Sequence, residues 1–177
     1  MSTDTFDAAL AFIWQPERDG HQDDAAPGET FATSWGITQM TWDAAVADGV
    51  VFGDLGDATK DQCAAIYRVR YWAPLHCDSF APGVAMVLFV DATLTGVGHV
   101  ARLLQRIVAT AEDGVIGPHT MAAANRWIPA ALVAQLIDAD EVYLAALANS
   151  PKFLHGWTRR EEALRTAALT IEGPAVA

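Results

Sequence analysis

The chain has 177 residues and a mass of 18.9 kDa, enough for one ordinary domain or two small ones. Hydrophobic residues make up 52% and charged residues 19%, a globular composition that excludes a disordered chain. The formal charge of −11, from 22 acids against 11 bases, argues against nucleic acid as a partner and against an electrostatic grip on an anionic membrane.

Phe6, Leu10, Ile13 and Trp14 recur at helical spacing, with Asp4 or Thr5 as the expected N-cap and Pro16 as the stop. Residues 18–34 turn polar, with Asp19-Gly20, Asp23-Asp24 and Pro27-Gly28, which predicts a long loop or a small irregular hairpin. Ile37 to Val46 has a helical pattern with Thr38 near its start, and Gly49 to Gly56 reads as a loop. Thr59 to Trp72 is expected to be helical, with Cys63, Ile66, Tyr67, Val69 and Tyr71 as its apolar positions. Val84 to Leu94 is apolar all round, which suits a buried central helix, with a buried strand as the competing assignment.

Val100 to Ala111 is amphipathic, Asp113-Gly114 is a turn, and Pro118 is expected at the first position of a further helix. Trp127 to Asn149 supplies one or two helices, and Pro151 to Leu169 a final one. The predicted class is all-α, with at most one small hairpin. The longest apolar run, Val84 to Val90, is far short of the roughly 20 residues needed to span a membrane, so no membrane insertion is expected. The acidic start, Met1 to Asp7, lacks a basic segment before an apolar core, so a classical secretory signal is not expected.

Two features carry chemistry. Glu17 ends the first helix beside a polar loop. A partly buried carboxylic acid there keeps its proton near neutral pH and can protonate a glycosidic oxygen. A second carboxylate or a positioned water completes such a reaction, and Asp19, Asp23, Asp24 and Glu29 are the available acids. The second feature is aromatic density: Trp14, Trp35, Trp42, Tyr67, Tyr71, Trp72, Trp127 and Trp157 offer flat platforms for sugar rings. Tyr71 and Trp72, at a helix end before Ala73-Pro74, are expected to be the more exposed pair.

Five histidines are scattered without ligand spacing, and Cys63 and Cys77 fit no metal pattern. No metal site is therefore expected, and the cysteines read as inert thiols, with one bridge as the alternative in an oxidising compartment. Asp113 and Thr120 are expected to hold a turn and a cap, and Arg160 to be a buried ion-pair partner.

Several of these segments are collinear with one family. The chain resembles the glycoside hydrolase family 108 lysozymes, N-acetylmuramidases of phage endolysins and of bacterial lysis or secretion loci. Glu17 is similar to the glutamate of that family's Glu-Gly-Gly-Tyr, although Arg18-Asp19 follow it here. Pro27-Gly28 and Ala32-Thr33-Ser34-Trp35-Gly36-Ile37-Thr38 resemble its loop, with Ala26 in place of the loop aspartate, a two-residue insertion at Glu29-Thr30, and Leu94 where an asparagine is usual. Ile66-Tyr67-Arg68-Val69-Arg70-Tyr71-Trp72, Leu104-Gln105 and Asp113-Gly114-Val115-Ile116-Gly117-Pro118-His119-Thr120 resemble further family segments, as does Phe153-Leu154-His155-Gly156-Trp157-Thr158-Arg159-Arg160.

The resemblance implies a lysozyme-like helical fold. Residues 6–94 would form the muramidase-like part and residues 95–172 a peptidoglycan-binding-like helical part, packed as one compact unit. It implies cleavage of the β-1,4 bond between N-acetylmuramic acid and N-acetylglucosamine. Glu17 would be the general acid, Asp24 (or Asp23) with Thr33 would position water or stabilise positive charge, and Trp35, Tyr71 and Trp72 would line the cleft. It implies no cofactor, peptidoglycan glycan strands as the partner, a monomer, and delivery to the wall or periplasm by a holin, a virion or dedicated secretion. Two other functions fit the departures from the family pattern: a wall-binding or virion structural module without catalysis, and a lytic transglycosylase, which needs no second carboxylate.

Overall fold

The computed structural model describes residues 2–14, 21–22, 33–147 and 151–172. They form eight α-helices and one three-stranded antiparallel sheet: α1 (Ser2–Ile13), β1 (His21–Gln22), β2 (Thr33–Ser34), β3 (Ile37–Thr38), α2 (Gln39–Ala47), α3 (Lys60–Tyr67), α4 (Pro82–Thr95), α5 (Val97–Ile107), α6 (Pro118–Ala124), α7 (Pro129–Leu147) and α8 (Pro151–Glu172). The all-α class is what the helical periodicities predict, and the expected small hairpin is a three-stranded sheet that takes in Ile37–Thr38. Two compact units divide the chain, one of residues 1–9 and 71–177, the other of residues 10–70.

The larger unit is built around α4. Every residue from Gly83 to Ala92 is buried, because α5, α7 and α8 all pack on this helix. An all-round apolar pattern is what a central helix requires, and a length of 14 residues settles helix over strand. Pro82 occupies the first turn, where its missing N–H costs nothing. The next N–H, that of Gly83, donates to Glu172 Oε1 near the end of α8. That carboxylate satisfies an orphan donor and meets the positive end of the helix dipole. A Cβ at position 83 would collide with the Ala168 carbonyl oxygen and with Glu172, so glycine is what lets α8 approach.

Phe6, Trp72 and Phe89 form a triangle in the same core, with ring centroids 5.2, 5.6 and 5.4 Å apart and steeply inclined planes. Such edge contacts add roughly 0.5–1.5 kcal/mol per pair beyond area burial. Helix α1 starts at Ser2 rather than after the expected cap at Asp4 or Thr5.

In the smaller unit, Thr38 caps α2: its Oγ1 accepts from Thr41 N at 3.3 Å. The predicted helix from Ile37 therefore begins two residues later, and Ile37-Thr38 pair with β2 instead. Thr59 and Gln62 make a reciprocal capping box at the start of α3. Helix α3 ends at Tyr67, and the chain continues through a π-helical turn, Arg68–Trp72, where the sequence predicts one unbroken helix. Trp42 is buried and donates from Nε1 to the Gly53 carbonyl at 2.9 Å.

The Asp113-Gly114 turn is held by one amide. Gln105, 1% exposed, donates from Nε2 to Asp113 Oδ1 (2.6 Å) and to the Val115 carbonyl (3.0 Å), while its Oε1 accepts from Gly114 N (2.9 Å). Asp113 Oδ1 also accepts from Val115 N, an Asx-type turn. The Gln105 and Val115 hydrogen bonds keep the Asp113 carboxyl below its usual range. Gly114, at φ +81°, takes a conformation that a side chain would strain. The Leu104-Gln105 and Asp113-Gly114 segments are thus two halves of one scaffold.

Candidate active site

The hairpin of β2 and β3 turns on Trp35 and Gly36, with φ of +51° and +77°. Two successive left-handed residues define the tight turn that matches the twist of paired strands, normally made by Asn-Gly. Gly36 is required twice over, since a Cβ there would sit 2.8 Å from Tyr67 Oη. Trp35, an L-residue held in the left-handed region, carries strain of about 1 kcal/mol or more.

Three donors hold that turn in place. Trp14 Nε1 donates to the Trp35 carbonyl at 3.0 Å, and Tyr67 Oη donates to the same oxygen at 3.1 Å. Cys63 Sγ donates to the Ser34 carbonyl at 3.8 Å. Burial pushes the Cys63 thiol up to about 11, and burial also raises that of Cys77. Both cysteines are free, buried thiols, as expected from the sequence.

The rings above the turn are in contact. Trp14 lies 5.3 Å from Trp35 at 59°, and 5.9 Å from Tyr67 nearly edge-on. Lys60 Nζ stands 5.2 Å from the Trp14 ring centroid and 5.5 Å from that of Trp35. Trp14 and Trp35 are half-buried, so each offers a partly open face beside a positive charge. Such an arrangement can stack on a sugar ring and attract a carboxylate.

Of the predicted site residues, Thr33 and Trp35 come together on this hairpin. Thr33 is half-buried and pairs with Gln22 and Thr38. Glu17, Asp23 and Asp24 lie outside the described residues, as do Arg18, Asp19, Ala26 and Glu29. Tyr71 is half-buried in the π-helical turn. Trp72 requires a correction. It is 1% exposed and packs against Phe6 and Phe89, so its ring has no face open to a ligand. The helix-end position suggested exposure; the π-helical turn instead rotates the side chain into the core.

Sequence reasoning counted Trp14 and Tyr67 among the aromatic platforms without placing them in the cleft, and did not name Lys60. The available signals were the position of Trp14 three residues before Glu17 and the rarity of lysine, present only as Lys60 and Lys152.

Residues 11–96 match the family model for glycosyl hydrolase 108. This segment carries the glycosyl hydrolase 108 domain. Residues 99–162 match a predicted peptidoglycan domain. The solved structure of Brucella abortus SagA is similar to this hydrolase along 98% of each chain, with a TM-score of 0.83 and 29% identity. No curated protein matches it. The glycosyl hydrolase 108 domain makes the chain a glycoside hydrolase, and the peptidoglycan domain supports peptidoglycan as its substrate.

Proposed function

We propose that this hydrolase is a muramidase that cleaves the β-1,4 bond between N-acetylmuramic acid and N-acetylglucosamine, with Glu17 as its general acid. The observation that carries this reading is the Trp14–Trp35–Tyr67 platform with Lys60 above it, built within the glycosyl hydrolase 108 segment and three residues along the chain from Glu17. Trp35 stacks on a sugar face. Lys60 attracts the lactyl carboxylate that distinguishes muramic acid from other amino sugars. Glu17 protonates the leaving oxygen, and Asp24, or Asp23, with Thr33 positions water or stabilises the oxocarbenium-like state.

Trp72 serves the core rather than the cleft. The protein acts as a monomer at the wall, delivered by a holin, a virion or dedicated secretion, in the manner of a phage endolysin or a lysis-locus lysozyme. Among the described residues, no helix is long and apolar enough to cross a membrane.

The test is mass spectrometry of soluble products from purified peptidoglycan, with wild type and Glu17→Gln side by side. Reducing muropeptides from wild type alone support the assignment. Anhydro-muramic products would replace hydrolysis by transglycosylation. Equal activity of the two proteins would remove Glu17 from its role, and binding without products would make the chain a wall-binding module.

A further inference from the structure

The core of the helical unit contains three carboxylates from three helices: Asp91 on α4, Asp140 on α7 and Glu161 on α8. Asp91 is 1% exposed, and Asp140 and Glu161 are fully buried. One ligand oxygen from each lies within 4.8 Å of the others. Carboxylates in such numbers are rarely buried without strong compensation.

The compensation among the described residues is incomplete. Arg160 Nη1 is 3.8 Å from Glu161 Oε1, while its Nη2 donates to the Val90 carbonyl at 3.0 Å. His99 Nε2 is 3.5 Å from Asp140 Oδ1, and the His99 ring stacks on Tyr143. Five carboxylate oxygens have no hydrogen-bond partner among the described residues: Asp91 Oδ1, both of Asp140 and both of Glu161. Three carboxylates and one guanidinium leave a charge of −2 with His99 neutral. Burial drives all three carboxyls upward, Glu161 to about 7, so bare charge at this point is costly.

We propose that Asp91, Asp140 and Glu161 bind one divalent cation of the hard, oxygen-preferring class, Ca2+ foremost, which fastens α4 to α7 and α8. The ion cancels the surplus charge of −2 and gives the unpartnered oxygens a ligand. The spacing fits: oxygens about 2.3–2.6 Å from a shared Ca2+ stand no more than roughly 5 Å apart. Mg2+ retains several waters and suits so buried a site less well. An all-carboxylate set also disfavours softer metals, which select imidazole or thiolate. Asp91 lies in the glycosyl hydrolase 108 segment, and Asp140 and Glu161 lie in the peptidoglycan domain. The ion would therefore join the two matched segments within one helical core, independently of the muramidase reaction.

The experiment uses the full chain, stripped with a chelator and returned to metal-free buffer. Calorimetric titration with CaCl2, MnCl2, MgCl2 and ZnCl2 is paired with metal analysis after dialysis and with melting curves. The expected result is one equivalent of Ca2+ or Mn2+ per chain and a melting temperature that rises with cation concentration. Both signals are expected to vanish in Asp140→Asn and in Glu161→Gln, each checked for helix content. The wild-type titration decides the matter even if a variant fails to fold. Absence of binding by every cation would overturn the proposal and leave protons as the neutralising species. Binding of Zn2+ alone, lost in His99→Gln, would overturn the hard-cation assignment.

Discussion

Two aromatic clusters, one in each compact unit, use the same side chains in opposite ways. In residues 10–70, Trp14 and Tyr67 spend their polar groups on the Trp35 carbonyl; Tyr67 is buried, while Trp14 and Trp35 stay half-buried beside Lys60. In the helical unit, Trp72 is buried against Phe6 and Phe89, and its Nε1 has no acceptor among the described residues. The first cluster sacrifices burial for availability. The second accepts an unmet hydrogen bond in exchange for packing. A tryptophan's usefulness to a ligand is therefore set by where its neighbours come from, not by its identity.

The largest expected effect is on the packed cluster. Trp72→Ala should cost about 3–5 kcal/mol of stability, read as a fall in denaturation midpoint, with peptidoglycan affinity of the remaining folded protein unchanged. A marked loss of affinity at constant stability would place Trp72 in the site after all. Next comes the helix contact that closes this core. Gly83→Ala should cost about 1–3 kcal/mol, because the new methyl must push the Ala168 carbonyl away; an unchanged melting temperature would show that α8 has room to shift.

The open cluster should respond in the reverse sense. Trp35→Asn supplies the Asn-Gly sequence that this turn prefers, so stability should stay within about 1 kcal/mol of wild type or rise. Hydrolysis of peptidoglycan should fall, mainly through a higher KM. Retained activity would deny Trp35 a role in binding.

The smallest effect separates the two kinds of carboxylate in the helical unit. Asp113 is held below the usual carboxylate range by the Gln105 and Val115 hydrogen bonds. Its contribution is then present above the unfolded-state value and is lost as pH falls through the depressed folded one. The melting-temperature gap between wild type and Asp113→Asn should accordingly be open at neutral pH and close below about pH 4. A gap that persists in acid would mean that the turn depends on geometry alone.

Much of the fold was legible because it follows from local chemistry. The caps at Thr38 and Thr59, the proline at position 118 and the Asp113-Gly114 turn each act within a few residues, so sequence spacing announces them. The π-helical turn at Arg68–Trp72 was not legible, since its apolar spacing is close to that of an ordinary helix. Of the candidate site, Thr33 and Trp35 were named from the loop motif and lie on one hairpin. Lys60 was missed because its position above Trp14 and Trp35 depends on a helix that begins two dozen residues after the hairpin turn.

The sequence by itself determined the helical class, the family and the residues proposed for chemistry, because periodicity and motif spacing are properties of neighbouring positions. Only the tertiary structure decided which tryptophans are open, why Gln105 accompanies Asp113, and that Asp91, Asp140 and Glu161 share one buried space. Each of these is a meeting of helices or strands far apart in the chain. Burial and charge balance arise there from packing, which no local pattern encodes.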